Sequence, residues 1–268
     1  MCAFFCGLTG YQPLSITGII VIALIIIGDE ILTGQIPDEN LPFMIQQFAA
    51  AGYPAHEVRI IGDDVDQIAS TVAELASRHT WVVSSGGVGP THDDVTHRGV
   101  ARAFGVDVTP HPDMIAFLSR HHTPPLEPGV MHMAMLPEGA DVLIGSDGHW
   151  PIIRKENCFI LPGLPPALRS KIPRLIAMLP TMRPTWRTAV YLNADEVLFA
   201  EWLGALQASH PEVTIGSYPV VGAAYRTRIS LGGPDRDAVE PVAAAVVAHA
   251  TKYGWLVDAE TVARGETP

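Results

Sequence analysis

The sequence predicts an α/β protein, a three-layer mostly parallel sheet followed by a small α+β domain. Three observations lead there. Over roughly the first 110 residues, β-branched runs without polar alternation take turns with helical patterns, the order expected of parallel βαβ units. Each apolar run ends in a loop carrying glycine or aspartate. Beyond the prolines of residues 180–184 the element order changes, which marks a second domain.

Residues 19–27 read as a central strand buried on both faces. Residues 1–17 before it read as an N-terminal extension. The apolar run 14–27 is shorter than the ~20 residues a membrane span needs and ends in Gly28-Asp29-Glu30. Asn40 reads as the N-cap of a helix over 41–51, with Pro42 in the first turn and Gly52 at the stop. Ala55–Ile61 is the second strand. Asp64 and Gln67 form a capping pair for a helix whose Ile68, Val72 and Leu75 share one face. Residues 81–84 are the third strand, followed by a glycine loop and a helix over 95–104 that Gly105 stops. Residues 116–118 sit in a further helix, and Pro124-Pro125 with Glu127-Pro128-Gly129 mark an irregular excursion. A later strand at 157–161 leads through Pro162-Gly163-Leu164-Pro165-Pro166 into a helix ending near Met178.

The stretch 180–184 is the expected linker between a domain at 18–180 and one at 185–268. The second domain reads as strand 188–192, helix 195–209, strands 213–218 and 225–231, and helix 235–253. In its last strand Tyr225, Thr227, Ile229 and Leu231 alternate with Arg226, Arg228 and Ser230, so one face is wet.

Apolar content of 48% is ample for a packed core, and a net charge of −11 disfavours a nucleic-acid backbone as partner. No Lys or Arg precedes Arg59, and the lysines are Lys155, Lys171 and Lys252. An anionic ligand near the N-terminal loops must therefore take its countercharge from backbone N–H groups or a metal. Cys2, Cys6 and Cys158 make neither a disulfide framework nor a zinc set, and read as reduced thiols of a cytoplasmic protein without a membrane partner.

The most informative stretch is Ser84-Ser85-Gly86-Gly87-Val88-Gly89-Pro90-Thr91-His92-Asp93-Asp94-Val95-Thr96. Its glycines let backbone N–H groups approach a ligand closely, and two aspartates arrive where a helix begins. In a parallel sheet this loop opens on the same edge as Gly28-Asp29-Glu30, Gly62-Asp63-Asp64 and Pro162-Gly163, where open α/β folds bind ligands. Carboxylates converging there need raised pKa values or a cation, and oxygen-rich sites favour Mg²⁺ or Mn²⁺. Structural readings stand beside these. Asp64 is equally a helix cap, Asp63 a turn residue and Asp29-Glu30 a solvated pair. Thr96 is a good N-cap, His92 and His97 read as solvated loop histidines, and His121-His122 as surface. No dinucleotide fingerprint, Walker lysine or nucleophile elbow is present.

Taken together, Gly28-Asp29-Glu30-Ile31-Leu32-Thr33-Gly34, Asp38 with Asn40, the Gly62-Asp63-Asp64 turn and the glycine–aspartate loop resemble the CinA (competence/damage-inducible) family. Leu136-Pro137-Glu138-Gly139-Ala140, Leu161-Pro162-Gly163-Leu164-Pro165 and Ile215-Gly216-Ser217-Tyr218-Pro219 fit as well. The resemblance covers about residues 19–257 and implies the molybdopterin-binding fold shared with molybdopterin adenylyltransferases, then a KH-like module. It implies a cytoplasmic homo-oligomer, dimer or trimer, that binds a pterin or nucleotide pyrophosphate. Asp63 and Asp94 are implied as catalytic, and Asp29 and Asp94 as holding Mg²⁺ or another divalent metal. The implied ligand-binding set is Gly28, Asp29, Glu30, Gly34 and Asn40, then Ser85, Gly86, Gly87, Gly89, Pro90, Thr91, Asp93 and Thr96, with Pro162 and Gly163.

The chain departs from the family pattern in three places. Val130-Met131-His132-Met133-Ala134 occupies a segment that usually carries lysine, Gly148-His149-Trp150-Pro151 replaces an Ala-Pro-Gly segment, and Ala167 stands for a glutamate. Two functional readings follow. One is a metal-dependent pyrophosphatase acting on ADP-ribose-like nucleotides. The other is a non-catalytic pterin- or nucleotide-binding module linked to molybdenum cofactor metabolism.

Overall fold

The computed structural model describes residues 20–145, 149–180 and 186–262. The extension expected at 1–17, residue 19 of the first strand, Gly148 and the linker residues 181–184 lie outside the described residues. The chain divides into two compact units, Met1–Pro180 and Thr181–Pro268.

The first unit opens with β1 (Ile22–Ile27), a single turn α1 (Asp29–Leu32), α2 (Asn40–Ala50), β2 (Ala55–Ile61), α3 (Val65–Arg78) and β3 (Trp81–Ser85). It continues with α4 (Thr96–Ala103), β4 (Val108–Pro110), α5 (Pro112–Leu118), α6 (Pro128–Met133) and β5 (Met135–Pro137). β6 (Asp141–Leu143), β7 (Ile152–Lys155), β8 (Cys158–Leu161) and α7 (Pro165–Met178) complete it. Six strands form one sheet in the order β2-β1-β3-β8-β7-β6, and β4 pairs with β5 alone. β2, β1, β3 and β8 run parallel, whereas β7 and β6 are antiparallel.

β1 shows why the unit has three layers. Its residues are all buried, yet alternate side chains enter different cores. Ala23, Ile25 and Ile27 pack with Ile68, Val72 and Val100, while Ile22, Leu24 and Ile26 pack with Met44, Phe48 and Ile172. Full burial of each such isoleucine or leucine is worth about 1.5–3 kcal/mol, which holds β1 rigidly in the centre.

Several local expectations give way to tertiary demands. Asn40 is not the N-cap: Asp38 accepts hydrogen bonds from the Asn40 and Leu41 amides at 3.1 and 3.0 Å, and Asn40 is buried as the first helical residue. Asp64 does cap α3, accepting from Gln67 N at 2.8 Å, but the Gln67 side chain turns to accept from Gly62 N at 3.1 Å. The excursion near residue 128 becomes helical in α6.

In the second unit β9 (Trp186–Leu192), a 3₁₀ turn (Glu196–Leu198), α8 (Ala200–Ser209), β10 (Thr214–Pro219), β11 (Thr227–Gly233), α9 (Arg236–Lys252) and β12 (Leu256–Val262) follow in order. The sheet order is β10-β11-β9-β12, all antiparallel. Thr227, Ile229 and Leu231 are buried while Arg228 and Ser230 are half-buried, as the alternation requires. Tyr225 and Arg226 precede the strand rather than belong to it, and β12 adds an edge strand beyond the expected βαββα order.

Candidate ligand-binding site

Register brings the loops together. Ile27 pairs with Ile61, Ile26 with Ser85, and Ser85 with Leu161, so β1, β2, β3 and β8 end side by side. The loops starting at Gly28, Gly62, Gly86 and Pro162 therefore leave one edge of the sheet. Backbone bonds bind them at the root: Gly28 N donates to Ile61 O at 3.0 Å, and Gly86 N to Leu161 O at 3.2 Å.

Glycine is required where these loops touch. Gly86 adopts φ +112°, and a Cβ there would lie 1.9 Å from Ile27 O. Gly87, at φ +63°, would place a Cβ 2.3 Å from Thr96 Oγ1 and 3.0 Å from Asp63 Oδ1. The result is a patch of bare backbone facing carboxylates. Gly163 backs it, because a side chain there would begin 3.2 Å from Gly86 Cα.

The acidic residues form two groups. Asp29 N donates to Asp63 Oδ2 at 3.0 Å, and Asp63 N returns a bond to Asp29 Oδ1 at 3.3 Å. Burial pushes the Asp63 carboxyl above its ordinary pKa. The hydrogen bond from Asp29 opposes the rise, and the charges of Asp29, Glu30 and Asp93 add to it. The Glu30 carboxylate folds back on Gly28, its Oε1 2.6 Å from where a side chain there would begin.

In the second group Asp94 Oδ2 accepts from Thr91 N at 2.9 Å and from Thr91 Oγ1 at 2.5 Å. The same hydroxyl lies beside exposed Asp93 and holds its carboxyl below the usual range. A side chain at Gly89 would begin 2.7 Å from Asp94 Oδ2.

Polar side chains tie the cradle from below. Asn40 Nδ2 donates to Ser85 Oγ at 3.1 Å and to Gly163 O at 2.6 Å, and Ser85 Oγ donates to Pro162 O at 3.2 Å. Asn40 Oδ1 is buried without a partner. Thr96 is fully buried; rather than capping α4 it donates through Oγ1 to Gly86 O at 2.8 Å. Two expected residues lie apart from this cradle. Gly34 closes the exposed turn after α1 with open space around it, and Pro90 is exposed on the outer limb of the loop.

The expected metal pair is not joined by these contacts: Asp29 engages Asp63, whereas Asp94 engages Thr91. Among the described residues no group of three or more His, Cys, Asp or Glu is arranged as a metal site. Asp29 and Asp63 nonetheless suit a cation that keeps phosphate oxygens among its ligands, because the charges of Asp29, Glu30 and Asp93 all act on Asp63 in the same sense.

Sequence reasoning missed the histidines behind the loop. His92 is exposed as expected, but His97 is buried. Burial, reinforced by nearby His132, pushes His97 down to about 4. Its ring bonds the Met135 backbone, and its Nε2 is buried without a partner. His132 Nε2 lies 3.0 Å from Asp94 O. The available signal was periodic: His97, Val100 and Ala101 share the face that α4 buries.

Comparison with known proteins agrees with the fold of the first unit. Residues 23–182 match the family described as "Probable molybdopterin binding domain". Residues 184–258 match the family described as "FAD synthase, middle domain". A protein of Archaeoglobus fulgidus is 29% identical over 217 residues, covering 81% of this chain and 92% of its own. A probable FAD synthase of Caenorhabditis briggsae is 27% identical over 90% of this chain, which spans only 52% of that enzyme. A CinA-like protein of Gloeobacter violaceus is 34% identical over 55% of the chain and 36% of its own length. The crystal structure of a CinA protein from Thermoplasma acidophilum superposes with a TM-score of 0.52 at 28% identity, covering 57% of this chain and 95% of that one. Among the described residues no helix is long and apolar enough to cross a membrane.

Proposed function

The chain belongs to the family of molybdopterin-binding domains that includes the CinA-like proteins, and from that premise we propose that its strand-end cleft binds a pyrophosphate-bearing nucleotide or pterin and hydrolyses ADP-ribose-like nucleotides with a divalent cation. The observation that carries this reading is the charge balance at Asp63. The charged groups acting on it are Asp29, Glu30 and Asp93, all carboxylates, and it faces the bare backbone of Gly87. So negative a cleft accepts a phosphate when a cation lies between them, and Mg²⁺ held by one or two carboxylates plus phosphate oxygens is the usual arrangement.

Asp29 would hold the ion beside Asp63, and the ion would supply Lewis-acid activation of the phosphate and of an attacking water. The protein's own part is orientation and proton transfer. Asp63 Oδ2 is fixed by Asp29 N, which leaves Oδ1 turned toward Gly87. As water oxygen bonds to phosphorus and the bridging P–O bond breaks, the proton passes to Asp63 Oδ1. Amides of the 86–91 loop steady the phosphate. The match of both units to a probable FAD synthase supports a nucleotide among the ligands.

One observation favours the non-catalytic alternative. The Asp94 carboxylate is committed to the Thr91 amide and hydroxyl, the role of a loop staple rather than of a proton carrier. Turnover of ADP-ribose, FAD and a pterin phosphate with Mg²⁺ or Mn²⁺, with and without chelator, separates the two. Hydrolysis predicts metal-dependent cleavage that falls about 100-fold or more in Asp63→Asn, with the melting temperature nearly unchanged. Binding without cleavage by wild type leaves the module reading. Neither binding nor cleavage overturns both.

A further inference from the structure

A loop that presents its backbone to a ligand must be held from behind, because its own residues have little side-chain mass. In this chain the front of the 86–94 loop is held by Thr96 and Asp94, and the Asp94 carboxylate in turn fixes the Thr91 amide and hydroxyl. The Asp94 amide donates to Thr91 O at 3.2 Å, which closes the turn on itself and leaves its anchor to the rest of the fold to be found. The contact is His132, on α6, whose Nε2 lies 3.0 Å from Asp94 O. A carbonyl oxygen only accepts, so Nε2 carries the hydrogen and donates it. His132 lies 38 residues from Asp94 in sequence, so the bond pins the loop to a separate element of the fold.

The neighbouring His97 does not share this bond. The His97 ring donates to the Met135 backbone and its remaining nitrogen, Nε2, has no partner. It therefore offers no second donor to the Asp94 carbonyl.

We propose that His132 is a positioning residue: its Nε2–H holds the Asp94 main chain, and through Asp94 it sets the Thr91 amide and hydroxyl in the geometry that receives the ligand. The inference rests on the pyrophosphate-binding reading for its functional consequence, but the positioning itself is measurable without ligand. Removing one bond of this kind loosens a loop locally while leaving the cores on either side of the sheet intact.

The test compares the 268-residue wild-type chain with its His132→Gln and His132→Leu variants. Gln carries an N–H donor at similar reach, while Leu keeps apolar bulk without a donor. Amide hydrogen exchange at Thr91 and the Asp94 carbonyl ¹³C shift report the loop in the absence of ligand. Calorimetry with ADP-ribose and Mg²⁺ reports its use. His132→Leu should speed Thr91 exchange and weaken ADP-ribose about tenfold, and His132→Gln should restore both to within about threefold of wild type. If Gln behaves no better than Leu, or if Leu leaves the Thr91 and Asp94 signals unchanged, the positioning role is wrong. If wild type fails to bind ADP-ribose, the proposed ligand falls, and the exchange comparison alone decides the role of His132.

Discussion

Gly86→Ala should lower the stability of the first unit by about 3 kcal/mol or more, a drop of roughly 6–12 °C in melting temperature. Two costs combine. At φ +112° an L side chain is strained on any backbone, and here the new Cβ would lie 1.9 Å from Ile27 O. Ile27 ends the central strand and is packed on both sides, so it has nowhere to retreat. Gly34→Ala is the control, since Gly34 has φ +71° but nothing within 4 Å of an added Cβ. It should cost only about 1 kcal/mol, the backbone part alone. Thermal or urea melts of the two variants measure the difference, and equal losses would show that the loop root is not packed as described.

Acidification should destabilise the protein through His97. Its pKa is about 4 in the fold against 6.5 for the ordinary side chain. Between those values the unfolded chain holds the proton and the native one does not, so stability rises with pH through this window. The contribution is fully present above pH 6.5 and is lost as pH falls to about 4, a total of about 3 kcal/mol. Asp63 works in the opposite sense. Its raised pKa means that the native state holds the proton just above 3.8, so that its share of stability declines as pH rises there. Subtracting the curve of His97→Gln from that of wild type cancels the Asp63 share. Urea unfolding from pH 4 to 7.5 should show the acid slope reduced in the variant, and an unchanged slope would place the titration elsewhere.

Much of the first unit was readable because its strands announce themselves. β1, β2 and β3 are long enough for burial and β-branching to signal them, and their loops carry the glycines and aspartates that meet at one edge. β6 and β7 were not readable. They are three and four residues long, so no periodicity develops, and the antiparallel edge they form changes no residue type in a recognisable way. β12 was hidden by Asp258 and Glu260, whose polarity reads as loop in an edge strand.

Within the site, local rules assigned Asn40 and Thr96 to capping. Each was instead drawn inward, Asn40 by Ser85 and Gly163 and Thr96 by the Gly86 carbonyl, because loops without side chains need polar anchors from neighbouring elements. Asp38, two residues before Asn40, was free to take over the cap. The link from His132 to Asp94 had no sequence signal, since only tertiary packing brings α6 behind the loop.

The strand-end cradle of the first unit is the proposed seat of the ligand. Backbone amide NMR of the full chain during titration with ADP-ribose and Mg²⁺ tests it most directly. Saturable shifts are expected at Asp29, Asp63, Gly86, Gly87 and Thr91, with residues 186–262 unmoved. Shifts centred in residues 186–262, or none in the cradle at saturation, would contradict it.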